Sequence, residues 1–275
     1  MKPLMKFENS GNKEDITLGT KLIAEGKVGT LILAGGIGSR LGFDGPKGTF
    51  LLPTLKKSLF QIHFEKIKPG LPVVVMTSGP NHEKTVEYLH HHNFYPEVIT
   101  QKAPTGNGEA LSLFYHSGLW KKWKEKGVEQ LTTILVDNPL ADPFDPNLCG
   151  FHKRKNDEVT LKCIPKLDPE EKVGAVVEIN HRIKVIEYSE LSSSQKIDCT
   201  VANISLFSFS FEFIEKIANV ELPWHSSKKQ EKYIFDLLDY AEKTSVLLYP
   251  RNEVFCPLKS PEDIAKVEQA LMNDE

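Results

Sequence analysis

The chain has 275 residues, of which 34 are Lys or Arg and 37 are Asp or Glu, so its net charge is -3 at neutral pH. A chain of this length forms one large α/β domain, or one domain with a small addition. The near balance of charge argues against a polybasic surface, and therefore against binding to nucleic acid or to anionic membranes.

The opening stretch, MKPLMKFENSGNKED, is polar and lacks the apolar core of a secretion signal. No apolar run approaches the roughly 18 residues of a membrane-spanning helix. We therefore expect a cytoplasmic protein that has no membrane partner. The cysteines are widely spaced, and none forms a C-x-x-C pair, so we expect reduced, partly buried thiols. They are Cys149, Cys163, Cys199 and Cys256.

Strands and helices alternate through the first 155 residues. Continuous apolar runs predict buried strands at 28–34, 71–78, 96–101 and 131–137. Helical spacing of apolar residues predicts helices at 14–27, 58–67, 81–92 and 107–127, the third capped by Asn81. This alternation is typical of βαβ units, in which a mostly parallel sheet carries helices on both faces.

The pattern changes after residue 155. Short spacing between apolar runs predicts strands at 158–165, 173–180, 182–190 and 200–210, which indicates an antiparallel or mixed part of the sheet. The polar stretch 189–198 is expected to be a surface loop. Further helices are expected at 210–220, 228–243 and 261–274, with one more strand at 244–251.

Three sequence motifs follow the carboxyl ends of predicted strands. The glycine-rich stretch LAGGIGSRLGFDGPKG (33–48) follows the first strand, TSGP ends the second, and VDNP ends the strand that contains TTIL. In open α/β sheets, ligands bind beyond the carboxyl ends of the strands. We therefore expect all three motifs to contribute to one site.

The glycine-rich stretch is typical of a loop that binds phosphates. Glycines leave backbone N–H groups accessible, and Arg40 and Lys47 supply positive charge. Two common phosphate motifs do not fit. Leu41 stands where the dinucleotide fingerprint G-x-G-x-x-G needs its third glycine, and Lys47 is flanked by Pro46 and Gly48 rather than by the Gly and Ser/Thr of a Walker loop.

A third motif does fit. The stretch resembles the signature of the sugar-nucleotide pyrophosphorylases, and most closely the form LAGGQGTRLG…PKG of the eukaryotic-type UDP-N-acetylhexosamine branch, with Ile37 and Ser39 in place of Gln and Thr. The stretches LPTLKKSLFQ, PTGNGEAL, VDNPLADP, DPEEKVGAVV, VIEYSEL and VFCPLKSPED resemble later elements of that family in the same order. The resemblance covers residues 28–263, and on it the chain is identified as a member of the UDP-sugar pyrophosphorylase family.

This resemblance implies the fold and its division. The implied fold is a Rossmann-like nucleotide-diphospho-sugar transferase of GT-A-like type, with a mixed sheet flanked by helices. Residues 1–27 would be an N-terminal helical segment and 28–275 the nucleotidyltransferase domain, with sugar-binding strands in about 156–210. Family members are usually longer, and the chain corresponds to their catalytic core.

The resemblance also implies a reaction, in which UTP and a sugar 1-phosphate give a UDP-sugar and pyrophosphate (EC 2.7.7 class). Arg40 would hold the β- and γ-phosphates, and Lys47 would bridge the α-phosphate and the incoming phosphate. Gln101 would read the uracil, because an amide can donate and accept at once. The remaining implied nucleotide contacts are Leu33, Ala34, Gly35, Gly36, Gly38 and Gly106.

Asp137 is implied as the ligand of Mg²⁺, which prefers carboxylate and phosphate oxygens. It could instead cap a helix, as could Asn107. Glu187 could be an exposed strand residue, and the lysines after residue 227 could form a solvated helix face. The implied sugar-phosphate contacts are Asn107, Gly174, Glu187, Asn203, Lys228 and Lys232.

The identity of the sugar stays open at this stage. The branch resembled favours N-acetylglucosamine 1-phosphate, and the alternatives are glucose 1-phosphate or a broad specificity. A cytidylyl- or guanylyltransferase of the same fold is a further alternative, against which Gln101 argues. An alternative of another class is a catalytically weak nucleotide-binding remnant with a regulatory role. We expect a monomer or a weak homo-oligomer.

Overall fold

A mixed β-sheet forms the centre of the protein. The computed structural model describes residues 2–103, 105–226 and 230–273, and within these ranges eleven strands join this sheet. The main strand order is β2-β13-β7-β10-β6-β3-β4-β5, and β8 pairs with β1, β9 and β10. The strands are β1 Lys2–Pro3, β2 Glu8–Asn9, β3 Val28–Leu33, β4 Val73–Ser78, β5 Glu97–Gln101, β6 Gln130–Leu135, β7 Val159–Pro165, β8 Gly174–Ile179, β9 Arg182–Ile186, β10 Val201–Ser210 and β13 Thr244–Leu248, with β11 His225–Ser226 and β12 Gln230–Glu231 paired separately.

The sheet has a parallel half and a mixed half, in which β13 runs parallel to β7 and β2, and the sequence predicted an antiparallel or mixed part. Strands β6, β3, β4 and β5 are parallel neighbours, whereas β10 runs antiparallel to β6, β7 and β8. Strands β3, β4 and β6 are nearly continuous apolar runs because both faces of the sheet are covered. The mainly parallel α/β fold flanked by helices is confirmed.

Ten α-helices lie within the described ranges. Two separate apolar clusters cover the two faces of the sheet, one around Phe114, Phe207 and Phe213 and the other around Phe60, Ile134 and Leu258. The helices are α1 Lys13–Ala24, α2 Leu59–Glu65, α3 His82–His91, α4 Ala110–His116, α5 Leu119–Glu125, α6 Pro146–Lys155, α7 Ser193–Asp198, α8 Phe211–Ile217, α9 Arg251–Val254 and α10 Ile264–Met272.

The first 27 residues contribute β1, β2 and α1. Asn12 caps α1 by accepting from the backbone N–H groups of Glu14 and Asp15. Helix α1 packs closely on α6, because a Cβ at Gly19 would lie 1.8 Å from the carbonyl oxygen of Pro146. Strands β1 and β2 pair with β8 and β13. The division of the chain at residues 27 and 28 stays a prediction.

Three predicted elements were wrong. The predicted helix 107–127 is two helices, because Gly118 has φ +84° and ends the helical path between α4 and α5. The predicted loop 189–198 contains α7, which a Ser192–Gln195 capping box begins. In the predicted helix 228–243, the described residues form β12 and a 3-10 helix, Ile234–Tyr240, because Lys232 and Ile234 donate their N–H groups to the turn at 105–108.

Two further findings concern the whole described chain. Cys149, Cys163, Cys199 and Cys256 are all buried free thiols, as expected. Across residues 2–103, 105–226 and 230–273, every helix is too short or too polar to span a bilayer.

Candidate active site

A cavity of about 370 Å³ opens beyond the carboxyl ends of β3, β4, β5 and β6. The three motifs that follow these strands do meet here. Nine predicted site residues line the cavity: Leu33, Gly35, Gly36, Lys47, Gln101, Gly106, Asn107, Asp137 and Glu187. The remaining lining residues are Met76, Leu135, Val136, Ser205, Glu231, Tyr233 and Phe235.

The glycine loop is folded back on itself, and this places Lys47 beside its start. The backbone N–H of Lys47 donates to the carbonyl of Gly36 (3.0 Å), and that of Gly38 donates to the carbonyl of Gly45 (2.8 Å). Gly48 must be a glycine, since a Cβ there would lie 2.3 Å from the ring of Phe60. The loop therefore presents the Lys47 side chain from a fixed backbone.

Side chains from β4 and the turn after it hold the loop. The Ser78 hydroxyl donates to the carbonyl of Gly35 (2.7 Å), and the Asn81 amide donates to those of Ala34 (2.8 Å) and Gly36 (3.1 Å). Asn81 precedes α3 but makes no side-chain capping bond to it, so its predicted role as a helix cap was wrong. Its side-chain oxygen instead accepts from the backbone N–H of Ser78 (2.8 Å), and its amide nitrogen holds the glycine loop.

Lys47 and Asp137 form an ion pair within the cavity. The Nζ of Lys47 lies 2.9 Å from Oδ2 of Asp137, and both side chains are largely buried. Leu258 donates its N–H to the carbonyl of Asp137 (2.7 Å), and the buried Asn138 side chain bonds to the backbones of Val254 and Cys256. The loop that carries Asp137 is thus fixed to the C-terminal part of the chain, and Asp137 precedes no helix that it could cap.

The second oxygen of Asp137 fits a metal ligand. Oδ1 is buried and has no hydrogen-bond partner. Buried carboxylate oxygens without partners are costly, so this atom is suited to a bound cation. Within the described ranges there is no group of three or more metal-binding side chains. A Mg²⁺ ion here would therefore take its remaining ligands from phosphate oxygens and water.

Gln101 presents an unsatisfied acceptor to the same cavity. It ends β5, is 3% exposed, and its Oε1 has no partner. Gly35 allows this position, because a Cβ there would lie 2.9 Å from the Gln101 Nε2. The amide can therefore accept one hydrogen bond from a ligand that enters beside the glycine loop.

The turn at 105–108 joins the segment that begins with β12. Gly106 has φ +89°, and a Cβ there would lie 2.4 Å from the carbonyl oxygen of Lys232, so only glycine fits. The side-chain oxygen of Asn107 accepts from the N–H of Ile234 (3.0 Å) and caps no helix. The Nζ of Lys232 lies 3.9 Å from Glu109 and 4.7 Å from the centre of the Trp224 ring.

Glu187 also lines the cavity. Burial raises the pKa of its carboxyl, and the nearby positive charges of His225 and Lys259 oppose that shift. Glu187 is half-buried, so it is not an ordinary exposed strand residue. Lys232 lies outside any helix and is largely buried, so the alternative of a solvated helix face does not hold for it.

Several predicted residues do not line the cavity. Ala34 and Gly38 support the loop from behind, and Gly174 pairs with Asn203 between β8 and β10. Arg40 lies in the exposed turn Ser39–Leu41 and has no hydrogen-bond or ion-pair partner within the described ranges. Lys228 lies outside the described residues.

Two polar residues near the site, Ser205 and Lys259, were not predicted from the sequence. Ser205 lies where β10 shifts register between Asn203 and Leu206, and its φ of +56° is unusual for a residue with a side chain. Lys259 follows Leu258, which bonds to Asp137, and it forms no ion pair with another described residue. A short polar break in an apolar strand was the signal for Ser205, and the Lys in CPLKSPED was the signal for Lys259.

Comparisons with known proteins agree with this geometry. The sequence profile of a family described as UTP–glucose-1-phosphate uridylyltransferase matches residues 94–210. A protein of Schizosaccharomyces pombe named "Probable UDP-N-acetylglucosamine pyrophosphorylase" is 29% identical over 88% of this chain and 68% of its own length. The UDP-N-acetylglucosamine diphosphorylase 2 of Arabidopsis thaliana is 28% identical over 88% of this chain and 63% of its own length.

The fold is also that of solved enzymes with these names. The uridine diphosphate N-acetylglucosamine pyrophosphorylase of Trypanosoma brucei superposes with a TM-score of 0.85 and 23% identity, over 97% of this chain and 72% of that one. The chain thus spans about two thirds of the length of the relatives described. The profile, the relatives and the fold all support the UDP-sugar pyrophosphorylase family, in agreement with the loop motif at the cavity.

Proposed function

We propose that the protein is a uridylyltransferase, which makes a UDP-sugar and pyrophosphate from UTP and a sugar 1-phosphate. The observation that carries this proposal is the Lys47–Asp137 pair, in which Oδ2 faces Lys47 and Oδ1 is left without a partner. The ammonium group of Lys47 can neutralise a phosphate, and the free oxygen of Asp137 can bind a metal ion. Their position at the end of a glycine loop therefore suits a substrate that carries phosphates together with a metal ion.

The base recognised is uracil. Uracil presents an N–H at position 3, which the unpaired Oε1 of Gln101 can accept. Cytosine has a lone pair at that position and would leave the carbonyl unsatisfied in a buried setting. The cost of an unpaired buried polar group makes this a strong basis for discrimination.

The transfer itself requires positioning and charge neutralisation. A phosphate oxygen of the sugar 1-phosphate attacks the α-phosphorus of UTP, and the bond to the β-phosphate oxygen breaks, so that pyrophosphate leaves. Lys47 stabilises the charge that gathers on the α-phosphate, and the exposed Arg40 is available to the leaving pyrophosphate. A Mg²⁺ ion at Asp137 would supply further neutralisation of the phosphates.

The sugar is N-acetylglucosamine 1-phosphate. The names of the relatives support this choice. Glu187, Asn107 and Ser205 offer polar groups to the cavity. Asn203 and Gly174 pair between β10 and β8 and hold these two strands together. Lys259, Lys232 and Lys228 are the candidates for the phosphate of the sugar. We place the enzyme in the cytoplasm, as a monomer or a weak homo-oligomer.

The test is pyrophosphate release from UTP with a panel of sugar 1-phosphates. We expect N-acetylglucosamine 1-phosphate to have the highest kcat/KM, and CTP to replace UTP poorly. Glucose 1-phosphate is the second candidate, because the matching family profile is described by that substrate. A higher kcat/KM for glucose 1-phosphate would change the assigned sugar, and release with no sugar 1-phosphate would overturn the proposed function.

A further inference from the structure

His225 lies between two carboxylates. Its Nδ1 is 2.9 Å from Oε1 of Glu190, and its Nε2 is 2.9 Å from Oδ2 of Asp236. An ionised carboxylate only accepts hydrogen bonds, so each ring nitrogen must donate a proton. Neutral imidazole has one N–H, and therefore both bonds exist together only when the ring is protonated.

The two carboxylates belong to two different segments of the chain that line the cavity. Glu190 ends the short turn Tyr188–Glu190, which directly follows the cavity residue Glu187. Asp236 follows the cavity residue Phe235 in the 3-10 helix. The rings of Tyr233 and Phe235 pack on the His225 ring, with centres 5.0 and 6.0 Å away. His225 thus connects the Glu187 wall to the 231–236 wall.

The 231–236 wall has its own anchorage to the turn at 105–108. Lys232 donates its N–H to Thr105 (2.8 Å), its carbonyl accepts from Gly108 (2.9 Å), and Ile234 donates to Asn107 (3.0 Å). These bonds do not depend on His225. A loss of the His225 bridge should therefore leave the nucleotide side in place and release the turn that follows Glu187.

We propose that His225 is a positioning residue, which sets the place of Glu187 for the sugar 1-phosphate by bonding to Glu190 and Asp236 at once. This role rests on the proposed function, because it concerns the sugar side of the same cavity. If His225 has this role, the KM for the sugar 1-phosphate depends on the bridge, whereas kcat and the KM for UTP do not.

The bridge is also sensitive to pH. The hydrogen bonds to Glu190 and Asp236 overcome burial and raise the pKa of His225 above its ordinary value. While both carboxylates are ionised, the bridge is complete below that raised pKa and is lost as pH rises through it. The other ionisable groups around the ring are Glu231, which pairs with His225 across β11 and β12, Glu187, Tyr233 and, beside Asp236, Asp239.

The first experiment reads the ring directly, without substrate. Nitrogen-15 NMR of the free protein should show His225 doubly protonated at neutral pH, and Glu190→Gln should lower its pKa. A singly protonated ring at neutral pH in the wild type would overturn the bridge.

The second experiment measures KM and kcat for both substrates across pH. His225→Gln retains one donor group and places a carbonyl against the other carboxylate, and Glu190→Gln removes one charge from a partly exposed site. Each variant should raise the KM for the sugar 1-phosphate about 10-fold, which is the effect expected from the loss of one charge-assisted hydrogen bond. Each should leave kcat and the KM for UTP within about twofold of the wild-type values. In the wild type the KM for the sugar 1-phosphate should rise with pH, and in His225→Gln it should not.

His181→Asn is the matched control. His181 is an exposed histidine near Glu178, and its φ of +62° is a conformation that Asn adopts readily. The His181→Asn substitution should change neither KM value and should leave kcat as in the wild type. An equal rise of both KM values, or a fall in kcat alone, would overturn the proposal.

Binding separates this proposal from the proposed function. In calorimetry, His225→Gln and Glu190→Gln should each have a lower affinity than the wild type for UDP-N-acetylglucosamine. Their affinity for UDP should equal that of the wild type. Unchanged affinities for the UDP-sugar would overturn the role of His225. A wild-type protein that binds the UDP-sugar but releases no pyrophosphate would overturn the proposed function alone.

Discussion

Lys47 and Asp137 are 90 residues apart in sequence, and their side chains meet at 2.9 Å. Lys47 comes from the glycine loop after β3, and Asp137 from the end of β6, its parallel neighbour. The pair leaves Lys47 near the proposed site of transfer and one Asp137 oxygen without a partner. The two residues are therefore adjacent and have separable roles.

Replacing these residues should give different responses to Mg²⁺. Lys47→Ala should lower kcat on the order of 10²-fold or more, as expected for the loss of one electrostatic donor in a shielded site. Lys47→Arg should not restore it, because the planar guanidinium is larger and distributes its charge differently. Asp137→Asn should lower kcat and also weaken the apparent affinity for Mg²⁺.

A titration of initial rate against Mg²⁺ measures this difference. Excess Mg²⁺ should recover part of the activity of Asp137→Asn and none of that of Lys47→Ala. Because Lys47 occupies Oδ2, its removal should also leave the Mg²⁺ midpoint unchanged or lower. If Asp137→Asn keeps the wild-type midpoint, Asp137 is not the metal ligand.

Gln101→Ala should reduce selectivity between nucleotides. Its buried Oε1 is proposed to accept from uracil, so its loss should lower kcat/KM for UTP about 10- to 100-fold and that for CTP much less. Gln130→Ala is the control, since Gln130 is equally buried and also has an unpaired Oε1, but it does not line the cavity. An unchanged ratio of UTP to CTP in Gln101→Ala would contradict this role.

The lysine that holds the sugar phosphate can be identified by comparing Lys259 and Lys232. Lys232 already has Glu109 and the Trp224 ring as neighbours, whereas Lys259 forms no ion pair in the described chain. Lys259→Met should raise the KM for the sugar 1-phosphate about 10-fold or more, the loss expected for one charged hydrogen bond, and Lys232→Met should raise it less. Lys266→Met, an exposed lysine of α10, is the control. A larger rise of this KM in Lys232→Met than in Lys259→Met would show that Lys232, and not Lys259, binds the phosphate of the sugar.

Most of the parallel half of the fold could be predicted from the sequence. Strands β3, β4 and β6 are buried on both faces, so their sequences are continuous apolar runs. Their carboxyl ends meet at one edge, and for this reason the order of motifs along the chain is enough to group Lys47, Gln101 and Asp137. The local chemistry of the glycine loop was equally visible.

The remaining features depend on contacts distant in sequence. The segment 230–240 has apolar spacing that suits a helix, yet Lys232 and Ile234 give their N–H groups to Thr105 and Asn107. Asn81 is a residue type that often caps helices, but its side-chain oxygen, the atom that would cap, accepts from the backbone N–H of Ser78 instead. At the bulge, the side-chain oxygen of Asn203 accepts from the N–H of Ser205 (3.1 Å), but the place of the bulge in β10 depends on pairing with β7 and β8.

His152 should make the stability of the protein depend on pH. It is buried in α6, and burial lowers its pKa to about 3. Below its ordinary pKa of about 6.5 the unfolded chain binds a proton that the folded protein does not, so stability is lost as pH falls. Between about pH 7.5 and pH 5 this one residue should remove about 2 kcal/mol from the free energy of unfolding.

Urea unfolding of the wild type and of His152→Gln at the two pH values measures this contribution. Thr160 donates to Asp157, so the Nδ1 of His152 donates to Thr160, and a Gln amide can replace that bond. His152→Gln should be less stable at neutral pH but lose about 2 kcal/mol less on acidification. His91→Gln, at an exposed histidine of α3, should lose as much as the wild type. Equal losses in all three proteins would show that His152 takes up its proton without unfolding.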